Sequence, residues 1–524
     1  MTPVLNFSQL PAGHTHQIEH NGEKVLLTNV EGTVYAVASK CSHFGLPLEN
    51  AALCGHRLRC PFHHACFDVR DGSQLEAPGM DGIATYEVKV VGSRIHLADA
   101  PRPVGQPSPA PETATGKADH FDYAIVGGGI AAANAVEGIR ELDRDGNIVL
   151  LTRENLPPYD RTHVSKALLD GGKEIAQLPV RSERYYAERG VDLRESTIVS
   201  EVNVSAKTIS VLGKDDLTYG KVLLATGGTP RQLELDGSAL PEVHLIRRAE
   251  DAEVIRGKVK SGTRVVVVGG SFIGLEAAMS LGKLGANIYV VTPEETLFKS
   301  SFGKKVGDWI QQLHEAEGVE FCLGRKVEHI EGETSVTGVV LDDGNRLPAE
   351  IIVVGIGVKP ATHYLTGLDT LDDGGISVDE LLRTEDKSVW AAGDIARYPD
   401  REGSVRIEHW KVAAQQGKTA GRNMAGAGKD YTMVPFFWSN QQGVNIRYVG
   451  HATEYDHIEF DGTPGNGPFI AYYLKGNRVQ AALGVKRDAD IAAIGELMNV
   501  DKMPGKAKLV GADWPALLRS ISKG

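Results

Sequence analysis

The stretch CSHFGLPLENAALCGHRLRCPFHHACF, residues 41–67, contains two short motifs that each join one cysteine to one histidine. The first motif is Cys41-Ser-His43 and the second is Cys60-Pro-Phe-His63. Glycine and proline surround both motifs, so each is expected to lie in a turn. Two thiolates and two imidazoles can hold a zinc ion. They can also hold a [2Fe-2S] cluster in which two histidines replace two cysteines on one iron.

The distribution of the four residues separates these two possibilities. Zinc fingers usually place a cysteine pair in one half of the site and a histidine pair in the other. Here each half is mixed, which is the pattern of Rieske [2Fe-2S] proteins, and the flanking sequence closely resembles Rieske-type ferredoxins. The resemblance implies that Cys41, His43, Cys60 and His63 are the metal ligands. A zinc site or a degenerate loop pair with the same spacing is the alternative.

Three neighbouring positions depart from what some Rieske proteins carry. Leu46 and Phe62 stand where high-potential members have an extra disulfide, so the resemblance implies the lower-potential ferredoxin branch. The family usually has glycine after its second histidine ligand, whereas this chain has His64. We expect His64 to alter solvent access or proton coupling near the outer iron.

Length and composition limit the class of protein. A chain of 524 residues is longer than one domain. Its net charge of −12 argues against nucleic acid as a partner. No apolar run reaches the roughly 18–20 residues of a membrane span, and the first residues do not resemble a signal peptide. Five cysteines, two of them assigned as ligands, form no disulfide framework. These features predict a soluble cytoplasmic protein that does not bind membranes.

The N-terminal part reads as a small all-β domain followed by a linker. Short strands separated by glycine turns are predicted within residues 1–98. Cys54 and Cys66 are expected to be small packed residues, and His14, His16 and His20 to lie at the surface. Residues 99–120 are rich in proline and small polar residues, which predicts a semi-rigid linker. Such a linker would let the cluster domain swing between an electron donor and an acceptor.

A dinucleotide-binding loop follows the linker. The strand predicted for residues 122–126 leads into Gly127-Gly-Gly129-Ile-Ala-Ala132 and then into an alanine-rich helix ending near Leu142. Gly127 permits a tight turn, Gly129 lets the backbone approach a pyrophosphate, and Ala132 lets the helix pack closely on the strand. The phosphates would then lie at the helix N-terminus.

A second loop of the same kind follows the strand predicted for residues 264–268. Its glycines are Gly269 and Gly274, the middle position is Ser271, and a helix is expected from about Leu275. Two such loops imply two nucleotide-binding domains for two different dinucleotides.

From residue 121 onward the chain resembles the flavoprotein reductases that have two dinucleotide-binding domains. The resemblance rests on both glycine loops and on the stretches LLATGG (223–228), IIVVGIG (351–357) and VWAAGD (389–394). The similar branch contains ferredoxin reductases of oxygenase systems and the apoptosis-inducing-factor group, some of which carry an N-terminal Rieske domain. The implied fold is multidomain: an all-β Rieske domain, an α/β two-Rossmann-type flavoprotein reductase and an α+β C-terminal interface domain. The expected boundaries are 1–98 for the Rieske domain, 99–120 for the linker, 121–237 with 351–430 for the FAD domain, 238–350 for the NAD(H) domain and 431–524 for the C-terminal domain.

The resemblance implies FAD in the first nucleotide domain and assigns residues to it. Glu154 would meet the adenosine ribose, the Val199 backbone the adenine, and Asp394 the ribityl chain. The remaining positions implied at the flavin are Gly127, Gly129, Ala132, Arg161, Thr226, Gly227, Arg231, Gly357, His409 and Trp410. Trp438 would lie toward the flavin or the nicotinamide; packing in the core is its alternative.

Lys166 and Glu276 are the implied catalytic pair. Lys166 closes the stretch PYDRTHVSK (158–166), which resembles a family sequence beside the flavin, and Glu276 follows the second glycine loop. The pair would position the nicotinamide and stabilise charge on the reduced flavin. A solvated lysine and a carboxylate at a helix N-terminus are the alternatives.

The second nucleotide domain should bind the nicotinamide cofactor through Gly269, Ser271 and Gly274. Glu294, close to the end of the strand predicted for residues 287–291, is expected to bind the ribose hydroxyls. Acidic side chains repel a 2′-phosphate, and no arginine stands in this stretch, so NADH is favoured over NADPH.

Together these features predict an NADH-dependent FAD oxidoreductase that passes electrons to its own Rieske cluster. No cysteine lies between residues 67 and 321, so an internal dithiol for disulfide reduction is not expected. The acceptor would be an oxygenase, a cytochrome P450 or a small molecule, and the protein a monomer or homodimer. The alternatives are a redox switch or interaction protein of apoptosis-inducing-factor type and a direct reductase of a small molecule. A Rieske oxygenase is disfavoured because no segment remains for a mononuclear-iron domain.

Overall fold

The computed structural model describes residues 1–102, 104, 119–401 and 403–521. The chain forms two compact units. The first comprises Met1–Pro107, Met433–Ser439 and Asn445–Gly524, and the second comprises Ser108–Thr432 and Asn440–Val444. The N-terminal and C-terminal domains therefore share one unit. Most of the predicted linker lies outside the described residues.

The N-terminal domain is built from three small antiparallel sheets. Their strands, in order across each sheet, are Thr15–His20, Glu23–Val30, Thr33–Ala38 and Thr85–Tyr86; Thr2–Asn6, Arg94–Leu97 and Val88–Val91; and Ala52–Cys54, Arg57–Arg59, Cys66–Asp68 and Gln74–Glu76. Glycine turns join neighbouring strands, as the sequence predicts. The third sheet holds the second cysteine–histidine motif in the loop between its middle strands.

The C-terminal domain is a five-stranded sheet followed by two helices. The strand order is Phe436–Gln441, Val444–Gly450, Arg478–Val485, Phe469–Lys475 and His457–Asp461, and the helices are Asp488–Asn499 and Trp514–Ile521. Alternate residues of the fourth strand, Ile470, Tyr472 and Leu474, share a buried apolar cluster with residues of both helices. Ile491, Ile494 and Leu497 fill the space between sheet and helices and are fully buried.

The first nucleotide domain of the second unit has a mainly parallel sheet. Across the sheet its strands are Val191–Arg194, Ile148–Leu151, His120–Val126, Leu217–Leu224, Thr208–Val211, Val199–Asn203 and Leu365–Thr366, with Val389–Ala391 paired beside Leu217–Leu224. Its helices are Ile130–Leu142, Glu183–Glu188 and Trp410–Met424. The continuous apolar runs in the central strands suit a sheet that is covered on both faces.

The second nucleotide domain repeats this plan with five parallel strands. Their order is Val243–Leu245, Ile351–Val354, Arg264–Val268, Asn287–Thr292 and Glu320–Leu323, and the helices are Ala249–Lys258, Phe272–Lys283, Lys299–Phe302 and Lys304–Glu315. Smaller antiparallel pairings complete the unit: Val327–Glu331, Gly338–Leu341 and Arg346–Pro348; Gly228–Pro230 with Val358–Pro360; and Ala396–Asp400 with Gly403–Val405, beside Ile376–Ser377.

Several predicted boundaries differ from the structure. The second loop's helix begins at Phe272 rather than near Leu275. Ile351–Val354, expected in the FAD domain, is hydrogen-bonded into the other sheet between two of its strands. Arg102 pairs with Thr85, so the N-terminal domain extends past residue 98. His20, expected at the surface, is buried, and its Nε2 lies within hydrogen-bond distance of the Ala98 carbonyl oxygen at 3.0 Å.

In the described part of the chain, no helix is long and apolar enough to cross a membrane.

Candidate redox centre and nucleotide sites

The two cysteine–histidine motifs fold into loops of matching shape. In the first loop the Cys41 amide donates to the Leu46 carbonyl at 2.8 Å. In the second the Cys60 amide donates to the Ala65 carbonyl, also at 2.8 Å. Each cysteine therefore starts a tight loop closed by a hydrogen bond from its own amide.

The loops also share a left-handed residue at the same position. Gly45 (φ +68°) donates its amide to the Cys41 carbonyl at 2.9 Å, and His64 (φ +60°) donates to the Cys60 carbonyl at 3.1 Å. Glycine adopts this conformation without steric cost, whereas other residues do so at a penalty. This geometry gives a physical reason for glycine as the usual residue at position 64 in Rieske proteins.

The four predicted ligands converge at the ends of these loops. The Cys41 and Cys60 thiols are buried and share a hydrogen bond, which raises the pKa of Cys41 and lowers that of Cys60. The His43 and His63 rings lie 4.9 Å apart at an interplanar angle of 87°. Burial, then the neighbouring His43 and Arg447, lowers the pKa of His63 to about 2. A neutral imidazole is the form that binds metal, so the donor set fits a Rieske cluster.

Two aromatic side chains flank the histidine ligands. The Trp438 indole lies 4.9 Å from the His63 ring and 6.1 Å from the His43 ring, measured between centroids. Phe44 stacks on His43 at 3.7 Å and remains 51% exposed. The structure thus places Trp438 against the cluster ligands, and its role toward the flavin or nicotinamide stays a prediction.

The second unit contains a cleft of about 220 Å³ at the first glycine loop. A side chain at Gly127 (φ +133°) would lie 2.1 Å from the Ala225 carbonyl oxygen, so only glycine fits this turn. At Gly129 nothing lies within 4 Å of such a side chain, and the backbone faces open space. This cradle at a helix N-terminus fits a pyrophosphate. Predicted residues that line the cleft are Gly129, Arg161, Lys166, Gly227, Glu276, Asp394 and Trp410.

Lys166 and Glu276 form an ion pair inside this cleft. Lys166 Nζ donates to Glu276 Oε2 at 2.7 Å and to the Thr162 carbonyl at 3.1 Å. Ser165, for which the sequence predicts no role, donates its hydroxyl to the same Glu276 oxygen at 2.7 Å. Glu276 is 5% exposed and Lys166 lines the cleft, so the carboxylate holds the ammonium in place.

Glu154 is paired with Arg161 rather than standing alone. Arg161 Nη2 donates to Glu154 Oε1 at 2.5 Å, and the Tyr159 hydroxyl donates to Glu154 Oε2 at 2.7 Å. Burial opposes ionisation of Glu154, but the charge and hydrogen bond of Arg161 together with the hydrogen bond of Tyr159 outweigh it, so the pKa of the carboxyl is lowered. A charged carboxylate at this position can accept hydrogen bonds from ribose hydroxyls.

Asp394 lines the cleft beside an arginine that sequence reasoning missed. Arg247 Nη2 donates to Asp394 Oδ2 at 3.0 Å. Arg247 also lines the cleft, although it lies outside the motifs of the sequence. Nothing in its local sequence distinguishes it from a solvated residue between a strand and a helix.

Other predicted flavin residues are held mainly by backbone or local bonds. The Thr226 hydroxyl donates to the Ala361 carbonyl at 2.7 Å, and the exposed Arg231 donates its amide to the Gly357 carbonyl at 3.0 Å. Val199 begins a strand beside Thr208–Val211. The remaining two are Ala132, buried in helix Ile130–Leu142, and His409, which precedes helix Trp410–Met424.

The second glycine loop repeats the cradle with one change. A side chain at Gly269 (φ +116°) would lie 2.4 Å from the Gly355 carbonyl oxygen, and one at Gly274 would lie 2.2 Å from the Gly269 carbonyl oxygen. Ser271 directs its hydroxyl to the Gly355 carbonyl at 2.9 Å. The serine thus bonds within the loop and begins the helix as its N-cap residue.

Arg325 lies at the end of strand Asn287–Thr292, although the stretch of sequence directly after this strand contains no arginine. Glu294 is exposed there, as a ribose-binding residue requires. The Arg325 amide donates to the Thr292 carbonyl at 3.0 Å, and the Arg325 side chain pairs with Asp343 at 2.7 Å. Arg325 follows the neighbouring strand Glu320–Leu323, and only the parallel pairing brings it to this edge.

Family models match three successive segments of the chain. The model for pyridine nucleotide-disulphide oxidoreductases covers residues 121–417. The chain belongs to the pyridine nucleotide-disulphide oxidoreductase family. The Rieske [2Fe-2S] domain model covers residues 1–87, and the reductase C-terminal model covers residues 436–520.

Relatives of this oxidoreductase include proteins with and without the N-terminal domain. Human apoptosis-inducing factor 3 is 30% identical over 94% of this chain and 83% of its own length. The ferredoxin–NAD(+) reductase component of the anthranilate 1,2-dioxygenase system from Burkholderia cepacia is 34% identical over 74% of this chain and 96% of its own length. The crystal structure of the covalent putidaredoxin reductase–putidaredoxin complex superimposes with a TM-score of 0.72 and 29% identity, covering 77% of this chain and 99% of that one.

These matches confirm the class, the fold and the cofactors that the sequence predicts. The protein is a flavoprotein oxidoreductase of the pyridine nucleotide-disulphide family, with FAD and NAD(H) as cofactors and a Rieske domain for a [2Fe-2S] cluster. The cradle geometry and the converging ligands agree with these groups.

Proposed function

We propose that this oxidoreductase passes electrons from NADH through FAD to its own Rieske cluster and on to an external acceptor. The acceptor would be an oxygenase, a cytochrome P450 or a small molecule. The observation that supports the proposal is that one chain brings the four predicted cluster ligands close together and also contains a cleft with the Lys166–Glu276 pair. FAD, when bound, takes up a two-electron hydride and can release electrons singly, as a one-electron cluster requires.

The protein's own residues perform positioning and charge control. The Gly129 backbone leaves open space for the pyrophosphate, and Lys166, held by Glu276, supplies a fixed positive charge in the cleft. Such a preorganised charge stabilises negative charge that develops during the reaction. At the other site, buried Cys41 and Cys60 are shielded from water, while the histidines occupy the outer ends of the loops.

We propose the same domains as the sequence predicts, except that strand Ile351–Val354 belongs to the sheet of the NAD(H) domain. Residues 1–98 hold the cluster, and the FAD and NAD(H) domains occupy the second unit. Exposed Glu294 supports a preference for NADH, and the pairing of Arg325 with Asp343 leaves that arginine less available to a 2′-phosphate. Cytoplasmic location and a monomeric or dimeric state remain predictions.

An anaerobic NADH titration tests the electron path. We expect the flavin absorbance to bleach and a Rieske-type rhombic EPR signal to appear in the same sample. Bleached flavin with a cluster that stays oxidised at every NADH concentration would contradict the proposal. The direct-reductase or redox-switch alternative would then be preferred.

A variant that lacks one predicted cluster ligand distinguishes electron transfer through the cluster from direct reduction of the acceptor by the flavin. In His63→Ala we expect loss of the EPR signal, normal bleaching of the flavin by NADH, and loss of most electron transfer to a protein acceptor. His56→Ala is the matched control, because His56 bonds to Tyr35 in the same domain without being a ligand. Acceptor reduction at the parent rate in His63→Ala would show that electrons leave from the flavin.

A further inference from the structure

The N-terminal domain packs against the C-terminal domain within the first compact unit. Strand Ala52–Cys54 lies against helices Asp488–Asn499 and Trp514–Ile521. Ala52 belongs to the same buried apolar cluster as Phe436. The two domains thus share a hydrophobic contact although they stand at opposite ends of the sequence.

A buried arginine connects the cluster-binding loop to the C-terminal domain. Arg59 Nε donates to Glu496 Oε1 at 2.6 Å, and Arg59 is 3% and Glu496 0% exposed. The two terminal nitrogens of Arg59 donate to Glu76 at 2.8 and 2.7 Å. Arg59 Nη1 also donates to the His64 carbonyl at 3.2 Å. One guanidinium therefore joins the cluster loop, its own sheet and a helix of the other domain.

Arg57 completes a charge-balanced group. Its Nε donates to Glu496 Oε2 at 3.2 Å, and its Nη2 bonds to Glu76. Two arginines and Glu76 come from the N-terminal domain, and Glu496 comes from the C-terminal helix. Removing one partner from a buried ion pair leaves an uncompensated charge, which is strongly destabilising.

His64 makes the second specific contact. Its ring stacks on Phe436 with centroids 3.7 Å apart and an interplanar angle of 14°. A side chain at Gly495 would lie 3.2 Å from His64 Cε1, so the facing helix is shaped to receive the ring. The left-handed conformation of His64 would favour glycine, yet a glycine here would forfeit the stack on Phe436.

We propose that the cluster-binding domain is held permanently on the C-terminal domain through Arg57 and Arg59 with Glu496 and through His64 with Phe436. The cluster-binding domain supplies one side of this interface, and the C-terminal domain of the same chain supplies the other side. The cluster-binding domain then does not move independently of the C-terminal domain. The histidine that departs from the Rieske pattern serves docking.

Cleavage of the linker tests whether the linker or the contact holds the domain. A protease site is inserted between residues 108 and 117, and the intact holoprotein is cleaved after purification. We expect both pieces to co-elute in size-exclusion chromatography at micromolar concentration, with the cluster spectrum unchanged. Separation of the pieces on cleavage would overturn the proposal.

Two variants of the cleavable protein test the named contacts. In Glu496→Gln we expect the dissociation rate of the cleaved pieces to rise at least about 100-fold, because a buried arginine loses its partner. In His64→Gly we expect at least about tenfold faster dissociation with an unchanged cluster spectrum, since glycine suits φ +60°. Glu454→Gln is the control, because Glu454 is 79% exposed in the same domain. Dissociation rates of both variants that equal the control would overturn the assignment.

These measurements do not depend on the proposed function. Failure of NADH to reduce the cluster would leave the co-elution result unaffected. Separation of the cleaved pieces would leave the electron path of the intact chain untouched.

Discussion

Lys166 places a positive charge in the cleft, where its neighbours fix the position of the ammonium group. Its ammonium bonds to Glu276 and to the Thr162 carbonyl, so it cannot turn away from the cleft without losing both contacts. We expect Lys166→Met to slow flavin reduction by NADH on the order of 100-fold, the usual loss when one preorganised donor is removed. Stopped-flow absorbance under anaerobic conditions measures this rate.

Lys283→Met is the matched control for that variant. Lys283 lies in helix Phe272–Lys283, and its side chain is 57% exposed beside Asp170. We expect the parent rate in the control. A parent rate in Lys166→Met as well would show that the lysine has no part in the hydride step.

Arg447 places a positive charge close to the cluster ligands. Its side chain is 3% exposed, lies 3.3 Å from Asp488 and contributes to lowering the pKa of His63, after burial and His43. The Gly450 amide donates to the Pro435 carbonyl at 2.9 Å. Extending this antiparallel pairing along the hairpin sets Arg447 beside Trp438.

A fixed positive charge favours the reduced cluster, which carries one more negative charge. We therefore expect Arg447→Gln to lower the cluster midpoint potential by tens of millivolts, roughly the Coulomb energy of a charge at about 10 Å in a medium of dielectric constant near 20. An EPR-monitored redox titration measures it. The exposed Arg478→Gln serves as the comparison, and equal potentials in the two variants would exclude the effect.

His163 should make the stability of the flavin domain depend on pH. Burial lowers its pKa; Asp160 opposes this, and Lys173 and Lys166 add to it. The folded protein thus binds this proton less tightly than the unfolded chain, whose histidine pKa is about 6.5. Stability is lost as pH falls below about 6.5, and the loss continues until the lowered pKa is reached.

We expect His163→Gln to flatten this dependence at pH values below about 6.5. The temperature of flavin release, recorded at several pH values, gives the measurement. His457→Gln is the control, because the His457 side chain is 42% exposed, and it should keep the parent slope. An unchanged slope in His163→Gln would assign the dependence to other groups.

At the scale of elements, helices Ile130–Leu142 and Trp410–Met424 pack at very close range through glycine. A side chain at Gly417 would lie 2.1 Å from the Ala131 carbonyl oxygen, and one at Gly421 would lie 2.2 Å from the Ala135 carbonyl oxygen. From the other helix, a side chain at Gly138 would lie 2.3 Å from the Lys418 carbonyl oxygen. The first helix starts at the pyrophosphate cradle, so the contact also positions the flavin site.

We expect Gly417→Ala to destabilise the flavin domain by about 1–3 kcal/mol, the usual cost of overpacking, and to lower its FAD content. Thermal release of flavin fluorescence measures the loss. Gly282→Ala is the control, because a side chain there meets only Ile288 at 4.0 Å and alanine favours a helix. Equal behaviour of the two variants would mean that the helices separate to accept the methyl group.

Local features of the sequence predicted most elements and indicated the candidate cluster ligands. Gly127 and Gly269 are required by turns within a few residues, and Cys41, His43, Cys60 and His63 are indicated by their spacing together with the resemblance of the flanking sequence to Rieske ferredoxins. The ion pair of Arg59 with Glu496 joins positions far apart in the chain, and no local pattern specifies it. The same reason applies to Arg247 and Arg325, whose places depend on which strands become neighbours.

At the scale of the whole molecule, the net charge of −12 should influence which acceptors react quickly. We expect NADH-driven reduction of a basic cytochrome to fall several-fold between about 20 and 200 mM salt, because screening removes the attraction. Reduction of ferricyanide, an anion, should stay level or rise over the same range. Identical salt dependence for both acceptors would show that local charges, not the net charge, govern the encounter.

The close packing of helices Ile130–Leu142 and Trp410–Met424 also has a consequence for biosynthesis. The ribosome makes the first helix early, but the partner that covers it emerges only after the entire second nucleotide domain has been translated. At about 5–20 residues per second the delay is on the order of tens of seconds. During that time the nascent chain exposes the alanine- and glycine-rich face of the first helix. The second nucleotide domain must therefore fold as an insert within a first nucleotide domain that is still incomplete. We expect the dependence of folding on chaperones to be greatest in this interval.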